Sequence, residues 1–342
     1  MEAGIGMFGD LGIDPRTGIR KPPQQRLKEL MAEIKLADEV GLDVFAIGEH
    51  HRSDYAVSSP EIILAAAASI TRQIKLTSAV TVLSSSDPVK VFQDFSTVDL
   101  LSGGRTEIMV GRGSFIESFP LFGYNLHDYN HLFDEKLELL NAINNLKEGE
   151  PINWKGQFRA PLVNQDIFPR PVNQRLPIWI AVGGTPESVR RAARLGMPLM
   201  LAIIGGNPEH FKPLIDYYKQ EYELSGHDLS GMQIGIQPHA FIADTSEQAV
   251  EKLYPYYSRQ MDKIGSERNW PPFTKQNFEH SRQKYGALYV GDPEEVADKI
   301  NYYKEMFGLT RFMAQIDVGG ADHSDIMRSI ELFGLKVAPL IR

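Results

Sequence analysis

The stretch Asp43-Val44-Phe45-Ala46-Ile47-Gly48-Glu49-His50-His51 decides the fold. A short apolar run rich in β-formers reads as a buried strand. It stops abruptly in a carboxylate and two imidazoles. In α/β proteins the carboxyl end of a parallel strand is where ligands bind and chemistry happens. Three titratable groups there form a site candidate, and His suits proton transfer at neutral pH. The competing reading is that Glu49 and one histidine only tie neighbouring loops together by hydrogen bonds.

Working outward, the same grammar recurs. A helix ends, a glycine follows and a strand begins, at Gly41, Gly103, Gly196 and Gly308. Glycine accepts the left-handed conformation that closes a helix. Helix starts carry a capping residue, then Pro, often then an acid: Ser59-Pro60-Glu61, Thr185-Pro186-Glu187, Asn207-Pro208-Glu209 and Asp292-Pro293-Glu294. Strands are expected near 3–8, 43–48, 75–82, 106–111, 177–182, 198–204, 232–243 and 311–318. Helices are expected near 24–40, 60–72, 88–102, 130–147, 186–195, 208–225, 246–254 and 293–307. The first shows amphipathic spacing at Leu27, Leu30, Met31, Ile34 and Ala37.

Alternating strands and helices predict a single (β/α)8 TIM barrel over residues 1–342, with insertions after strands four and seven. An open doubly wound sheet is the alternative, but no Gly-x-Gly-x-x-Gly follows the first strand. Residues 112–176 form the insertion between strands four and five. Residues 255–291 carry Tyr256, Tyr257, Trp270, Phe273, Phe278 and Tyr285, too aromatic for a solvated linker. They are expected to be a mobile lid.

Composition narrows the function classes. The chain has 342 residues, is 42% hydrophobic and carries a net charge of −8, which argues against a nucleic-acid binder. It contains no cysteine, so a disulfide, thiolate nucleophile or iron–sulfur cluster is excluded. No segment reaches the roughly 18 apolar residues of a membrane span. A cytoplasmic protein without membrane association is expected.

In a barrel, the strand ends meet at one rim. They bring together Phe8, Glu49-His50-His51, Gly111-Arg112-Gly113 and Gly183-Gly184-Thr185, with Gln237 and His239 sharing one face of strand seven. Gly183-Gly184-Thr185 opening a helix is a candidate anion cradle, with Arg112 supplying charge from the adjacent strand. An ordinary capped loop and a plain salt bridge are the alternatives. Glu187 places a negative charge close by. His50 and His51 point to opposite faces and make poor joint ligands, so no metal is expected.

Taken in order, Glu49-His50-His51, Ala79-Val80, Asp87-Pro88-Val89, Leu101-Ser102-Gly103-Gly104-Arg105, Val110-Gly111-Arg112-Gly113, Glu187-Ser188 and Tyr289 to Ile300 resemble the luciferase-like flavin-dependent monooxygenases. The resemblance spans nearly the whole chain and is nearest to a bacterial FMN branch. It implies a barrel, usually a homodimer, in which reduced FMN supplied by a separate flavin reductase activates O2 to oxidise a small organic substrate. His50 falls on the family's catalytic histidine, and Ala79–Val80 on a cis peptide under the flavin ring. Arg112, Glu187 and Ser188 fall on flavin-phosphate positions, as do Gly184 and Thr185 in other members. Gly111, Gly113 and Gly183 belong to the same expected cofactor cradle. His239 falls on a substrate-site histidine; Gln237 replaces a nearby arginine of sulfonate-oxidising relatives, and Phe8 is a further substrate-side candidate. Arg191 replaces a phosphate-site threonine. A deazaflavin coenzyme with hydride transfer is the alternative cofactor reading, and a non-enzymatic flavin-binding protein a further one.

Overall fold

A computed structural model describes residues 1–113 and 115–342. Strand β1 (Glu2–Met7) leads to helix α1 (Pro23–Glu39), and β2 (Val44–Ile47) to α2 (Pro60–Ala68). Residues 75–82, expected as one strand, form two pieces, β3 (Lys75–Ser78) and β4 (Thr81–Val82), on either side of a cis Ala79–Val80 peptide. Next come α3 (Pro88–Ser102) and β5 (Ile108–Gly111). Residues 112–176 then supply α4 (Ser118–Phe122), α5 (Tyr129–Asn145) and an antiparallel pair, β6 (Ile152–Trp154) with β7 (Leu162–Gln165). The rhythm resumes with β8 (Ile178–Val182), α6 (Pro186–Arg194), β9 (Leu199–Leu201) and α7 (Lys212–Leu224).

The continuous strand seven expected over 232–243 is interrupted as well. It divides into β10 (Ile234–Ile236) and β11 (Ala240–Ile242) around Pro238, which has no N–H to give a ladder. The helix expected at 246–254 runs on as α8 (Ser246–Glu267), with Pro255 inside it. Then follow α9 (Lys275–Arg282), β12 (Tyr289–Gly291), α10 (Pro293–Phe307), β13 (Arg311–Gln315) and α11 (His323–Leu332). Sequence periodicity missed β12, a three-residue strand pairing in parallel with β11 outside the barrel. It also missed α11, the helix after the last barrel strand.

The main sheet orders its nine parallel segments β3-β2-β1-β13-β10-β9-β8-β5-β4. Its two end members are the pieces of one interrupted strand, so the order returns on itself and the sheet is a nearly closed barrel. A parallel bridge between Leu76 and Thr106 spans the seam. Gly103 and Gly308 close α3 and α10 with φ of 72° and 70°, the left-handed conformation their positions predict. Asp87 and Asp292 cap their helices, each accepting two backbone N–H groups. On α1, Leu30, Ile34 and Ala37 are buried as the spacing requires. Arg26 and Glu33 share that inner face as an ion pair at 2.8 Å, both fully buried.

Inside the barrel the two ends differ in chemistry. At the amino end Arg311, 1% exposed, donates to Glu107 at 2.6 and 3.0 Å and to Glu2 at 2.7 Å. Its guanidinium lies 4.1 Å over the Trp179 ring. Above that plug sits a small apolar cluster of Ala46, Ala79, Met109, Trp179, Met200 and Met313. The carboxyl end is left open as a cavity. Among the described residues no helix is long and apolar enough to cross a membrane.

Candidate active site

The cavity at the carboxyl end measures about 740 Å³. Phe8, His50, Ala79, Val80, Gly111, Arg112, Gly113, Gly183, Gln237 and His239 all line it, gathered from six of the barrel's staves. Gly184, Thr185, Glu187 and Ser188 do not line it directly. Of these, Thr185 and Ser188 join its edge through Arg112, whereas Glu187 is exposed and makes no hydrogen bond among the described residues.

The Glu49-His50-His51 stretch divides its labour. Glu49 is buried, accepts the Val82 N–H at 2.8 Å through Oε2 and meets His51 Nε2 at 2.8 Å through Oε1. That is the loop-tying role considered above. All three residues line the cavity, and His50 stands just beyond the end of β2. Its ring sits 4.7 Å from Phe8, 4.3 Å from Tyr55 and 5.2 Å from Phe115. Its Nε2 is buried with no partner among the described residues. Burial, with help from the Arg52 and His51 charges, depresses its pKa to about 3. The sequence suggested a histidine poised near neutrality; the aromatic cage makes it a firmly neutral imidazole. It can still accept a proton-bearing group or donate its single N–H.

On the opposite side, the glycine-rich loop after β8 leads into α6. Thr185 stands at the cap position but its hydroxyl makes no cap bond to the helix backbone. It donates to Ser188 Oγ at 2.8 Å and accepts from Arg112 Nη2 at 3.4 Å. The backbone N–H groups of Gly183, Gly184 and Thr185 donate to nothing among the described residues. Arg112 is further steadied by Asn130 Oδ1 at 2.6 Å and lies 5.3 Å over the Tyr129 ring. Unused N–H groups, two hydroxyls and a guanidinium at a helix start are groups that could hold an anion. Arg191, by contrast, pairs with Asp134 at 2.5 Å and is committed elsewhere.

Between the two sides, Val80 projects toward β5. A Cβ on Gly111 would come within 2.7 Å of Val80 Cγ2, so only glycine leaves Val80 its place. The floor is Met109, Ala181 and Met200. On the remaining wall His239 Nδ1 meets the Tyr257 hydroxyl at 3.0 Å, and burial lowers the histidine pKa to about 4. Gln237 donates to Gln315 at 2.7 Å.

Residues 255–291 supply the roof. Tyr257 and Phe278 are buried, while Gln260, Met261, Arg268 and Trp270 face the cavity. An ion-pair cluster joins this roof to the loop after β2. Arg52 pairs with Glu267 at 2.6 Å, Glu117 at 2.8 Å and Asp54 at 3.1 Å, and Lys263 pairs with Asp54 at 2.7 Å. Sequence reasoning missed Tyr55 and Phe115 as cavity walls. Their signal was an aromatic in a rim loop close to a candidate histidine or arginine. It missed the Arg52 cluster entirely, because partners 65 and 215 residues away leave no local pattern.

The geometry can now be compared with known proteins. Residues 1–310 match the model of the luciferase-like monooxygenases. The chain belongs to that family. It is 21% identical over 349 residues to the alkanal monooxygenase alpha chain of the Kryptophanaron alfredi symbiont, covering 94% of this chain and 96% of that one. Among the solved structures that share its fold are two with a bound ligand. One is the oxygenating constituent of 3,6-diketocamphane monooxygenase from Pseudomonas putida, in complex with FMN. It has a TM-score of 0.76 and 22% identity, covering 100% of this chain and 99% of that one. The other is an F420-dependent secondary alcohol dehydrogenase with an F420–acetone adduct, at TM-score 0.74 and 20% identity, covering 100% of both. The family makes this chain an oxidoreductase.

The depressed pKa of His50 has a measurable consequence. In the unfolded chain the histidine takes up a proton below its ordinary value of 6.5, whereas the folded one stays neutral to about 3. Between those values the unfolded state binds more protons, so stability falls as the pH is lowered. His239 adds the same sign down to about 4. Urea titrations from pH 7 to 4 should show a shallower pH slope for His50→Gln than for wild type. Parallel slopes would place His50 in a solvated setting.

Proposed function

We propose that the protein is an FMN-dependent monooxygenase that uses reduced flavin and O2 on a small organic substrate. The reading rests on one observation: a single cavity is lined by Arg112, by Val80 over Gly111, and by His50, whose buried Nε2 has no partner among the described residues. Reduced flavin, brought by a separate reductase, would supply the electrons that send one oxygen atom of O2 into the substrate and the other to water. The chain's own residues bind, orient and shield. Arg112, Thr185, Ser188 and the free N–H groups would hold a phosphate, and Val80 and Gly111 the ring system. His50, neutral and caged, would hold or pass a proton at Nε2 where water is excluded. His239, Gln237 and Phe8 would face the substrate.

Anaerobic titration tests the cofactor. Reduced FMN is expected to bind more tightly than a reduced deazaflavin, and subsequent O2 to give an oxygenated product from a carbonyl or alkane panel. Arg112→Ala should weaken FMN by about 10–100-fold, the worth of a charge-assisted hydrogen bond, and barely alter riboflavin, which lacks the phosphate. Equal losses for both ligands remove Arg112 from the phosphate site. Preferential deazaflavin binding would turn the reading to hydride transfer.

Residues 255–291 act as a cover latched by Arg52. Arg52→Ala should speed limited proteolysis within this segment and raise hydrogen peroxide release with reduced FMN. Cleavage and release at wild-type rates would mean a fixed wall.

The functional unit is a homodimer. Ile62, Leu100 and Leu101 are exposed on the adjoining helices α2 and α3, with Leu101 61% exposed. Large exposed apolar side chains on two adjoining helices suit a protein partner. Sedimentation equilibrium should return twice the chain mass, and Leu101→Arg should shift it toward one. A wild-type monomer at micromolar concentration sinks the dimer.

A further inference from the structure

The first strand runs out through Met7-Phe8-Gly9-Asp10, and Asp10 lines the cavity although only 3% of it is exposed. Its Oδ2 accepts the Gly319 N–H at 2.9 Å. Its Oδ1 is buried with no partner among the described residues. A buried, unpartnered carboxyl oxygen is costly unless something else fills its need.

The surrounding charges decide what that need is. Asp317 accepts the N–H groups of Phe8 and Gly9, the Gln315 amide at 2.9 Å and Arg26 Nη2 at 3.2 Å. Arg26 also donates to both oxygens of Glu33, at 3.0 and 2.8 Å. One cation therefore already faces two carboxylates. Asp54, a further negative neighbour, is taken up by Arg52 and Lys263. Tyr55, bridged to Asp10 through the backbone, brings a phenol whose oxygen accepts from Gln260 at 3.1 Å. Among the described residues no salt bridge reaches Asp10, and the Arg26 charge only partly offsets its surroundings. Burial first, and the Asp317 charge second, hold Asp10 well above the usual carboxylate range. With Oδ2 serving as the acceptor for Gly319, the proton belongs on Oδ1, where it lacks an acceptor.

We propose that Asp10 is a substrate-binding residue that donates its Oδ1–H to an oxygen acceptor, such as a carbonyl, on the organic molecule in the cavity. This rests on the reading of the cavity as a substrate chamber. It deepens that reading by giving the substrate a carbonyl-type oxygen on the side away from the phosphate cradle. A neutral donor suits this task, since a carboxylate would repel the same oxygen.

The test uses the flavin-free protein and two probes of nearly equal shape, 1-tetralone and tetralin, which differ in one carbonyl. Asp10→Asn keeps a donor and the shape, and Asp10→Leu removes the donor. The tetralone-to-tetralin affinity ratio should fall about 5–10-fold in the Leu variant, as for one hydrogen bond, and far less in the Asn variant. In wild type the ratio should drop as rising pH removes the Asp10 proton, and the Asn variant should lose that dependence. Carbon NMR of aspartate-labelled wild type, with Asp10 assigned by its absence from the Asn variant, should show a neutral carboxyl at neutral pH; this arm needs no folded Leu variant. An ionised signal, a ratio unchanged in a folded Leu variant, or no binding of either probe overturns the proposal. Because no flavin is present, these outcomes are separate from the FMN titration. Tight FMN binding with an unchanged ratio would refute Asp10 alone.

Discussion

Much of the site hangs on one carboxylate. Glu49 reaches from the end of β2 across the interruption in the third strand and takes the Val82 N–H, while its other oxygen holds His51. The ladder is broken at that point, and Glu49 replaces the missing backbone bond with a side-chain one. Three consequences follow from the tie. The interruption is held in place, so Val80 can lean over Gly111. His51 is held against Glu49 at the cavity wall. His50, between them, is left without such a bond. Without Glu49 a buried backbone donor would be stranded at the seam where the barrel closes.

The interior also separates its charges by depth. Formal charge is concentrated at the amino end, where Arg311, Glu107 and Glu2 neutralise one another beneath Trp179. Above the apolar floor, the groups that could ionise are held neutral by burial: His50 and His239 as free imidazoles, Tyr257 as an un-ionised phenol. The charges that remain are tied down, Glu49 by the Val82 N–H and His51, Asp317 by Arg26, and Arg52 and Lys263 in the ion pairs of the roof, while Arg112 stands at the edge. A chamber arranged this way offers hydrogen bonds without a field that would favour an ion in its middle. That suits chemistry on an uncharged organic molecule beside an anchored anionic one.

How far this was legible from sequence depended on whether the cause was local. The barrel was legible because glycine helix ends and Pro-capped helix starts repeat, and each acts over a few residues. The strand-end grouping of His50, Arg112, Gly183 and His239 followed from topology alone. The breaks within strands three and seven were not visible, because Ala79, Val80 and Pro238 lie in runs that read as continuous β-structure. β12 is three residues long and its pairing is set by a distant partner. The depressed His50 pKa depends on Phe8, Tyr55 and Phe115 converging from three loops. The roof was recognised as unusual by its aromatics, but the length of α8 was hidden by Pro255, which ordinarily ends a helix.

The parallel pairing of β11 with β12 has a consequence for how such a protein can diversify. It fastens together the two ends of the roof segment, outside the barrel, through registers Ala240–Tyr289 and Ile242–Gly291. Everything between them leaves and returns at one fixed doorway. The barrel below meets the segment through a few named contacts, His239 with Tyr257, Tyr55 with Gln260 and Arg52 with Glu267. Residues 246–288 are therefore held as one unit between two fixed ends. Away from those contacts the unit's length and side chains can be redrawn to admit a different guest, while Arg112 and the caged imidazole keep their positions.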